Sequence, residues 1–312
     1  MRRYIFKRLL QLIPMILAIT FVSFAVMYGA AGDAVDILYD KSGGASELIK
    51  SQKRAILGLD QPFFVQYFNW LQGFLQGDMG HSYISGQPVF SSFMSRLPAT
   101  FQLMFSAMSI TIVFSVPLGV LAALRRDSWL DYIIRLVSFL GNSLPGFLIA
   151  LLLIYLFALQ LSWLPVLANG GGWLALILPS LSLAISMSAR YTRQIRATVL
   201  EELGRDYVVG ARARGIPEWR IIYASVLKVT LLTMVTLLAL SVGSLLGGTA
   251  IIETIFMWDG VGKLAVDSIV MRDYPMIQAY VIWMSIIYIV VNLVVDIIYH
   301  YLDPRIRIDS EE

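Results

Sequence analysis

The sequence predicts an all-α integral membrane protein with six transmembrane helices and both termini in the cytoplasm, and three observations predict it. Of 312 residues, 58% are hydrophobic and only 14% are charged, against about 25% charged in soluble domains. Apolar stretches recur at 9–27, 99–124, 136–159, 173–189, 229–252 and 276–299. Each comes near the roughly 20 helical residues that a hydrocarbon core about 30 Å thick requires. If these stretches alternate from a cytoplasmic N-terminus, 17 of the 24 lysines and arginines fall on the inside, the asymmetry that orients membrane proteins.

The first stretch follows Arg2, Arg3, Lys7 and Arg8 and is followed by the small residues of "GAAGDA", as a cleaved leader would be. Its apolar part is about 19 residues, longer than the about 7–15 of a signal core, which favours a retained anchor. The chain then divides into a first helix with a large outer loop over 1–98, a five-helix membrane core over 99–303, and a cytoplasmic tail at 304–312.

An outer loop of this length needs structure of its own. Ser46 and Glu47 are an N-cap and a first-turn acid, and Gly58 is a stop, so "SELIKSQKRAILG" predicts a short helix. In "QPFFVQYFNWLQGFLQG", Phe63, Phe64, Tyr67, Phe68, Trp70, Leu71 and Phe74 leave Gln66, Asn69 and Gln72 for the wet side. That pattern predicts an amphipathic helix at the membrane interface. Such a helix serves either as a lid over the bundle or as a docking surface for an external partner, with Asp60, Gln66, Asn69 and Asp78 as the candidate docking residues.

The spans contain few groups that could drive chemistry. Ionisable side chains at mid-membrane are retained for function because they are costly, and here only Glu253 and Asp296 come near, at span ends. Paired carboxylates, a Ser/Lys dyad and a metal set are all lacking from the spans, which argues against an intramembrane enzyme. There is no cysteine, and His81 and His300 have no second histidine at ligand spacing. The inner arginines flank bilayer spans without aromatic stacking partners, so nucleic acid is not expected as a partner. Pro117, Pro145 and Pro179 lie in or near spans, with small residues in "FLGNSLPGF" and "SVGSLLGGT". Close helix packing explains them; the alternative is a kinked path through the protein, with Asn142, Ser143, Pro145, Ser241 and Ser244 as candidates.

Between the fourth and fifth spans lies a polar loop, about 190–228. In "RQIRATVLEELGRDYVVGARARG", Ile195, Val199, Leu203, Tyr207 and Ala211 recur every fourth residue and predict one striped helix that ends at Gly215. Pro217 and Glu218 start the next turn. Ala211, Ala213 and Gly215 keep the helix end slim for a partner's backbone, and Arg212 and Arg214 offer charge-assisted hydrogen bonds at its rim.

The stretch "DYVVGARARGIPEWRIIYASVLK" resembles the cytoplasmic coupling loop of ABC importer permeases in the dipeptide, oligopeptide and nickel family. That family reads approximately D-Y-V-x-x-A-R-A-K-G at this loop. "LGLDQPFFVQYFNWLQG", "GDMGHSYISGQPV", "RLPATFQL", "GGTAIIETIFMWDGVGKLAVDSIVMRDYP" and "NLVVDIIYHYLDPRIR" are similar to the family's first permease subunit, in order along the chain. The resemblance implies a type I importer permease fold. It also implies as partners a second permease subunit, two cytoplasmic ATPases that use ATP and magnesium, and an external solute-binding protein. On that pattern Asp206, Tyr207, Ala211, Arg212, Ala213, Arg214, Gly215, Ile216 and Glu218 form the docking helix for an ATPase. The chain has no G-x-x-x-x-G-K-[ST] loop of its own to cradle phosphates, so it is expected to bind no cofactor.

Two departures from the family stand out. Thr233 occupies a position where proline is expected, which bears on a bend at the start of the fifth span, and "AGDA" at 31–34 replaces P-G-D-P. The texture of "LSWLPVLANGGGWLALILPSLSLAI" and "LLGGTAIIETIFMWDGVG" tilts the expected cargo toward nickel or a nickel chelate, with a dipeptide or oligopeptide as the alternative. An ATP-independent transporter or channel is the reading from a different class.

Overall fold

A computed structural model describes residues 2–29, 34–41, 44–168 and 172–302. Residues 31–33 of "AGDA", Arg305, Arg307 and the tail at 304–312 lie outside the described residues. Helices carry the fold, and the chain forms two compact units, one of residues 1–100 with 259–293, the other of 101–258 with the stretch from 294 onward. The segment 259–293 thus joins the N-terminal segment in one body.

In the first unit, α1 (Arg2–Tyr28) is followed by α2 (Ala34–Lys41), α3 (Glu47–Leu57) and α4 (Phe63–Leu75). The predicted short helix is α3. Gly58 ends it at φ 68°, where glycine avoids the steric cost of left-handed backbone, and the N–H groups of Gly58 and Leu59 reach back to Ala55 and Arg54 at 3.2 and 2.9 Å. Ser46 stands at the N-cap without a side-chain cap bond.

The aromatic helix is α4, and it splits its apolar residues between two faces. Tyr67 is buried, with its ring edge-on to Phe21 and Phe24 of α1 and its hydroxyl 3.2 Å from Thr20 Oγ1. Phe64, Phe68 and Leu75 stay exposed. One stripe therefore holds α4 to α1, while the other remains available to lipid or a partner.

A glycine-punctuated loop leads to α5 (Val89–Leu124), whose first turns belong to this unit. The unit is completed by α12 (Val261–Met271) and the outer part of α13 (Tyr274–Leu302). Its core joins Met79, Val89, Met276 and Ala279, with Phe74, Leu264 and Trp283 against them.

The second unit holds the rest of α5 with α6 (Trp129–Ser143), α7 (Gly146–Leu153), α8 (Trp173–Leu203), α9 (Asp206–Ala213), α10 (Glu218–Ile221) and α11 (Leu227–Phe256). The third predicted stretch, 136–159, is not one straight helix. It breaks between α6 and α7 with a bend of 104°. Leu144 is extended at ψ 134° because a following proline ring disfavours the helical region for the residue before it, and Pro145 then opens α7. Beyond α7 the chain continues in a wider π-type turn through Ile154–Gln160.

The fourth stretch, 173–189, is only the first half of α8, which runs 31 residues. Another π-type turn, Ile222–Val226, links α10 to α11, and the helix passes through Thr233 without interruption. The irregularity at the start of the fifth span therefore sits a few residues before the missing proline.

Around α8 the packing is close. A Cβ on Gly119 of α5 would lie 2.7 Å from Ile195 Cγ2, and one on Gly141 of α6 would lie 3.2 Å from the Ala189 methyl. Small residues are what permit such approach in a bilayer. Ala150, Ala158, Leu178, Ile252 and Phe256 fill the core between α7, α8 and α11. Four helical runs among the described residues are long and apolar enough to span a membrane: Val89–Leu124, Trp173–Leu203, Glu218–Phe256 and Tyr274–Val294. The bent pair supplies a fifth, and Ile13–Tyr28 is a shorter apolar helix at the first predicted position.

Candidate functional site

The polar loop folds as a corner on the end of α8. The predicted single helix does not continue to Gly215: α8 stops at Leu203, Gly204 and Arg205 turn the chain, and α9 starts at Asp206. The four-residue stripe therefore runs across a break. Ile195 and Val199 are fully buried on α8, whereas on α9 the buried positions are Val208 and Ala211, and Tyr207 is exposed.

Two buried anchors fix α9, and hydrogen bonds fix its ends. The Tyr207 hydroxyl donates to Glu202 Oε2 at 2.8 Å, and Arg205 Nη2 donates to Glu201 Oε1 at 2.6 Å. Burial, then the bond to the Glu202 carboxylate, push the Tyr207 phenol up to about 12. At the other end Gly215 takes φ 74°. Its N–H donates to Arg212 O at 2.9 Å, and the next, of Ile216, donates to Ala211 O at 3.2 Å. This is a Schellman stop, which closes orphan carbonyls at the helix end.

Across that stop Arg212 grips Glu218 through Nε at 3.0 Å and Nη2 at 2.5 Å. The guanidinium bonds hold the Glu218 carboxyl below its usual range. An exposed pair adds at most about 1 kcal/mol, so it supplements the Schellman stop in linking α9 to α10. Asp206, Tyr207, Ala211, Arg212, Ala213, Arg214, Gly215, Ile216 and Glu218 are thus gathered on one turn. Ala213, Arg214 and Gly215 are at its exposed tip, and Ile216 is half-buried. Val209, Trp219 and Tyr223 add an exposed apolar surface that the sequence reading did not include. Their signal was an aromatic pair at Trp219 and Tyr223, four apart in the helical segment after Pro217.

A carboxylate clamp backs this corner. Asp131 of α6 is fully buried and accepts from Arg196 Nε and Nη2 of α8, both at 2.7 Å. Asp131 also accepts from the Asp127 N–H at 3.0 Å. Such a bidentate fork is geometrically specific as well as strong.

The other candidates are dispersed. Asn142, Ser143 and Pro145 sit exposed at the α6–α7 break. On α11, Ser241 is buried with its hydroxyl 2.6 Å from Tyr191 Oη, and Ser244 donates to Ser241 O at 3.0 Å. In the first unit Asp60 and Asn69 are exposed, Gln66 folds back to donate to the carbonyls of Leu59 and Gln61, and Asp78 accepts from the Gly80 N–H at 2.8 Å.

That unit also has an open cavity of about 560 Å³, lined in part by Ser82, Ser85, Ser92, Ser95, Arg96 and Asp273. Asp273 accepts from the Ser82 hydroxyl and from the Tyr83 N–H. Burial pushes the Asp273 carboxyl up, and the same burial, followed by the Asp273 charge, pushes the Tyr83 phenol up to about 12.

Residues 115–308 match the family described as binding-protein-dependent transport system inner membrane component, and residues 1–104 match that system's membrane component N-terminal family. The chain belongs to this family. It is a permease subunit of a binding-protein-dependent ABC importer, an inner-membrane transport component and not an enzyme. The permease is 36% identical over 309 residues to the glutathione transport system permease protein GsiC of Escherichia coli O6:H1, covering 98% of this chain and 99% of that protein. It is 38% identical over 320 residues to the oligopeptide transport system permease protein AppB of Bacillus subtilis, covering 98% and 100%. Among solved structures it is similar to a chain of the inward-facing MetNI methionine ABC transporter. The TM-score is 0.59 at 14% identity, covering 69% of the permease and 97% of that chain, and the shared fold is that of a type I importer permease.

Proposed function

We propose that the permease imports a peptide and is driven through the α9–Gly215–α10 turn, which docks into a cytoplasmic ATPase subunit. The observation that carries the coupling role is the hydrogen-bonded closure of that turn. Its tip is exposed, yet both its ends are closed by hydrogen bonds and its two helices are linked by Arg212 and Glu218. A lever must move as one piece to transmit ATPase closure, and a solvated connection would have no reason to carry buried anchors such as Val208.

A second permease subunit, two ATPases and an external solute-binding protein complete the proposed assembly. The first unit, with Asp60, Asn69 and Asp78 exposed, is where the binding protein would deliver cargo. Relatives named for glutathione and for oligopeptides favour a peptide over the nickel or nickel chelate that the sequence texture suggests.

Reconstitution in liposomes with the ATPases, second permease and binding protein tests both parts. Labelled dipeptide, glutathione and nickel chelate are offered in competition. Peptide uptake that requires ATP and binding protein supports the proposal; nickel uptake overturns the cargo, and uptake without ATP overturns the coupling.

A further inference from the structure

Between α5, α6 and α8 within the second unit is a groove of about 440 Å³. Its walls are apolar, among them Phe114, Leu118, Val137, Leu140 and Ile185, with hydroxyls at Ser138, Ser188 and Thr192. Along α8 it runs from Leu181 to Thr192, which at 1.5 Å per residue is about 16 Å. That is about half of a hydrocarbon core about 30 Å thick, or one leaflet.

Along the helices, cationic side chains follow just beyond its inner end. Arg196 lies one helical turn beyond Thr192, and Arg135 lies one turn before Ser138 on α6. Arg196 is bonded twice to Asp131, whereas Arg135 makes only a longer ion pair with it. Its side chain is 41% exposed and its guanidinium stacks over the Tyr132 ring at 4.5 Å, while its Nε is buried without a hydrogen-bond acceptor. The nearest carboxylate oxygen, on Asp131, is 3.6 Å away, too far for a hydrogen bond.

We propose that this groove is a binding site for an anionic phospholipid of the inner leaflet, with one acyl chain along Phe114, Leu118 and Val137 and the phosphate at Arg135. The charge argues for an anionic headgroup, since a guanidinium matches phosphate geometry. Bound there, the lipid would brace α6 against α8 beside the Asp131–Arg196 clamp.

The test is native mass spectrometry of the full-length permease released from mild detergent, with phosphatidylglycerol and phosphatidylcholine of equal chain length added together. Wild type is expected to retain phosphatidylglycerol preferentially. Arg135→Gln should reduce that preference about fivefold, the equivalent of the about 1 kcal/mol contributed by one basic side chain near an anionic surface, while Arg135→Lys keeps most of it. Val137→Trp, at a 62% exposed position on the groove wall, should lower retention of both lipids without disturbing helix packing. Equal retention of the two lipids by wild type, or an unchanged preference in Arg135→Gln, overturns the site. So does a photo-crosslinker at Leu118 that labels a neighbouring protein chain in the membrane instead of lipid.

Discussion

Arg196 and Asp131, 65 positions apart in sequence, meet through two hydrogen bonds of 2.7 Å, with Asp131 wholly buried. Removing one partner of a buried pair is worse than removing both, because the survivor keeps its desolvation cost without its compensation. Asp131→Ala is therefore expected to destabilise the permease by about 3 kcal/mol or more. Asp131→Leu combined with Arg196→Met should recover most of that. Thermal unfolding of the purified variants in one detergent measures both; a double variant no better than the single would mean that the pair does not act as a unit.

That clamp was hard to foresee from the sequence, and the reason is physical. Spans are legible because about 20 apolar residues in a row are a property of composition, and the positions at 99–124 and 276–299 stand close to α5 and α13. Pairing across 65 residues depends on which helix faces meet, and no local period encodes that. The only local hint was an acid, Asp131, four residues before Arg135 at the edge of an apolar stretch. The break at Gly204 was hidden for a different reason. Leu203, Tyr207 and Ala211 keep the four-residue step across a turn, so the pattern continues where the backbone does not. At Leu144 the signal was present in Pro145, and proline's effect on its neighbour, rather than helix packing, decides the conformation there.

Asp273 gives a pH dependence whose sign can be worked out. Burial raises its folded-state pKa above the ordinary value of 3.8. Its stabilising contribution is thus fully present below that value and is lost as pH rises through the folded-state pKa. Asp273→Asn keeps an oxygen to accept the Tyr83 N–H but does not titrate. The difference in unfolding temperature between wild type and Asp273→Asn should shift against wild type as pH is raised from about 4 to 8. A difference that stays flat would show that Ser82 and the backbone donors fully offset the burial.

Tyr67 tests how α4 is held. Tyr67→Phe removes only the hydroxyl beside Thr20 and should cost about 1 kcal/mol. Tyr67→Ala also empties the aromatic cluster with Phe21, Phe24 and Phe63, at about 3–5 kcal/mol. Limited proteolysis between Gly58 and Pro62 reads the release of α4, with alanine expected to cut much faster than phenylalanine. If stimulation of the ATPases by loaded binding protein persists in Tyr67→Ala, α4 is a cover over α1 and takes no part in docking.

Gly215 and Gly210 separate the folding of the coupling turn from its contact with a partner. Gly215 sits at φ 74°, and a Cβ there would meet nothing within 4 Å, so its demand is conformational rather than spatial. Gly215→Val forces an L-residue into left-handed backbone at about 1–2 kcal/mol and loosens the stop between α9 and α10. Gly210 lies within α9 without a left-handed φ, and a Cβ there also meets nothing within 4 Å. Gly210→Leu should therefore stabilise the helix by up to about 1 kcal/mol while placing bulk on its exposed face. A turn that seats in an ATPase cleft requires both variants to lose ATPase co-purification and ATP-dependent uptake, although their unfolding temperatures move in opposite directions. A contact elsewhere predicts that uptake follows stability, falling in Gly215→Val and surviving in Gly210→Leu. Because the two substitutions act oppositely on the fold and alike on the proposed interface, one comparison of uptake with unfolding temperature distinguishes a lever from a connecting loop.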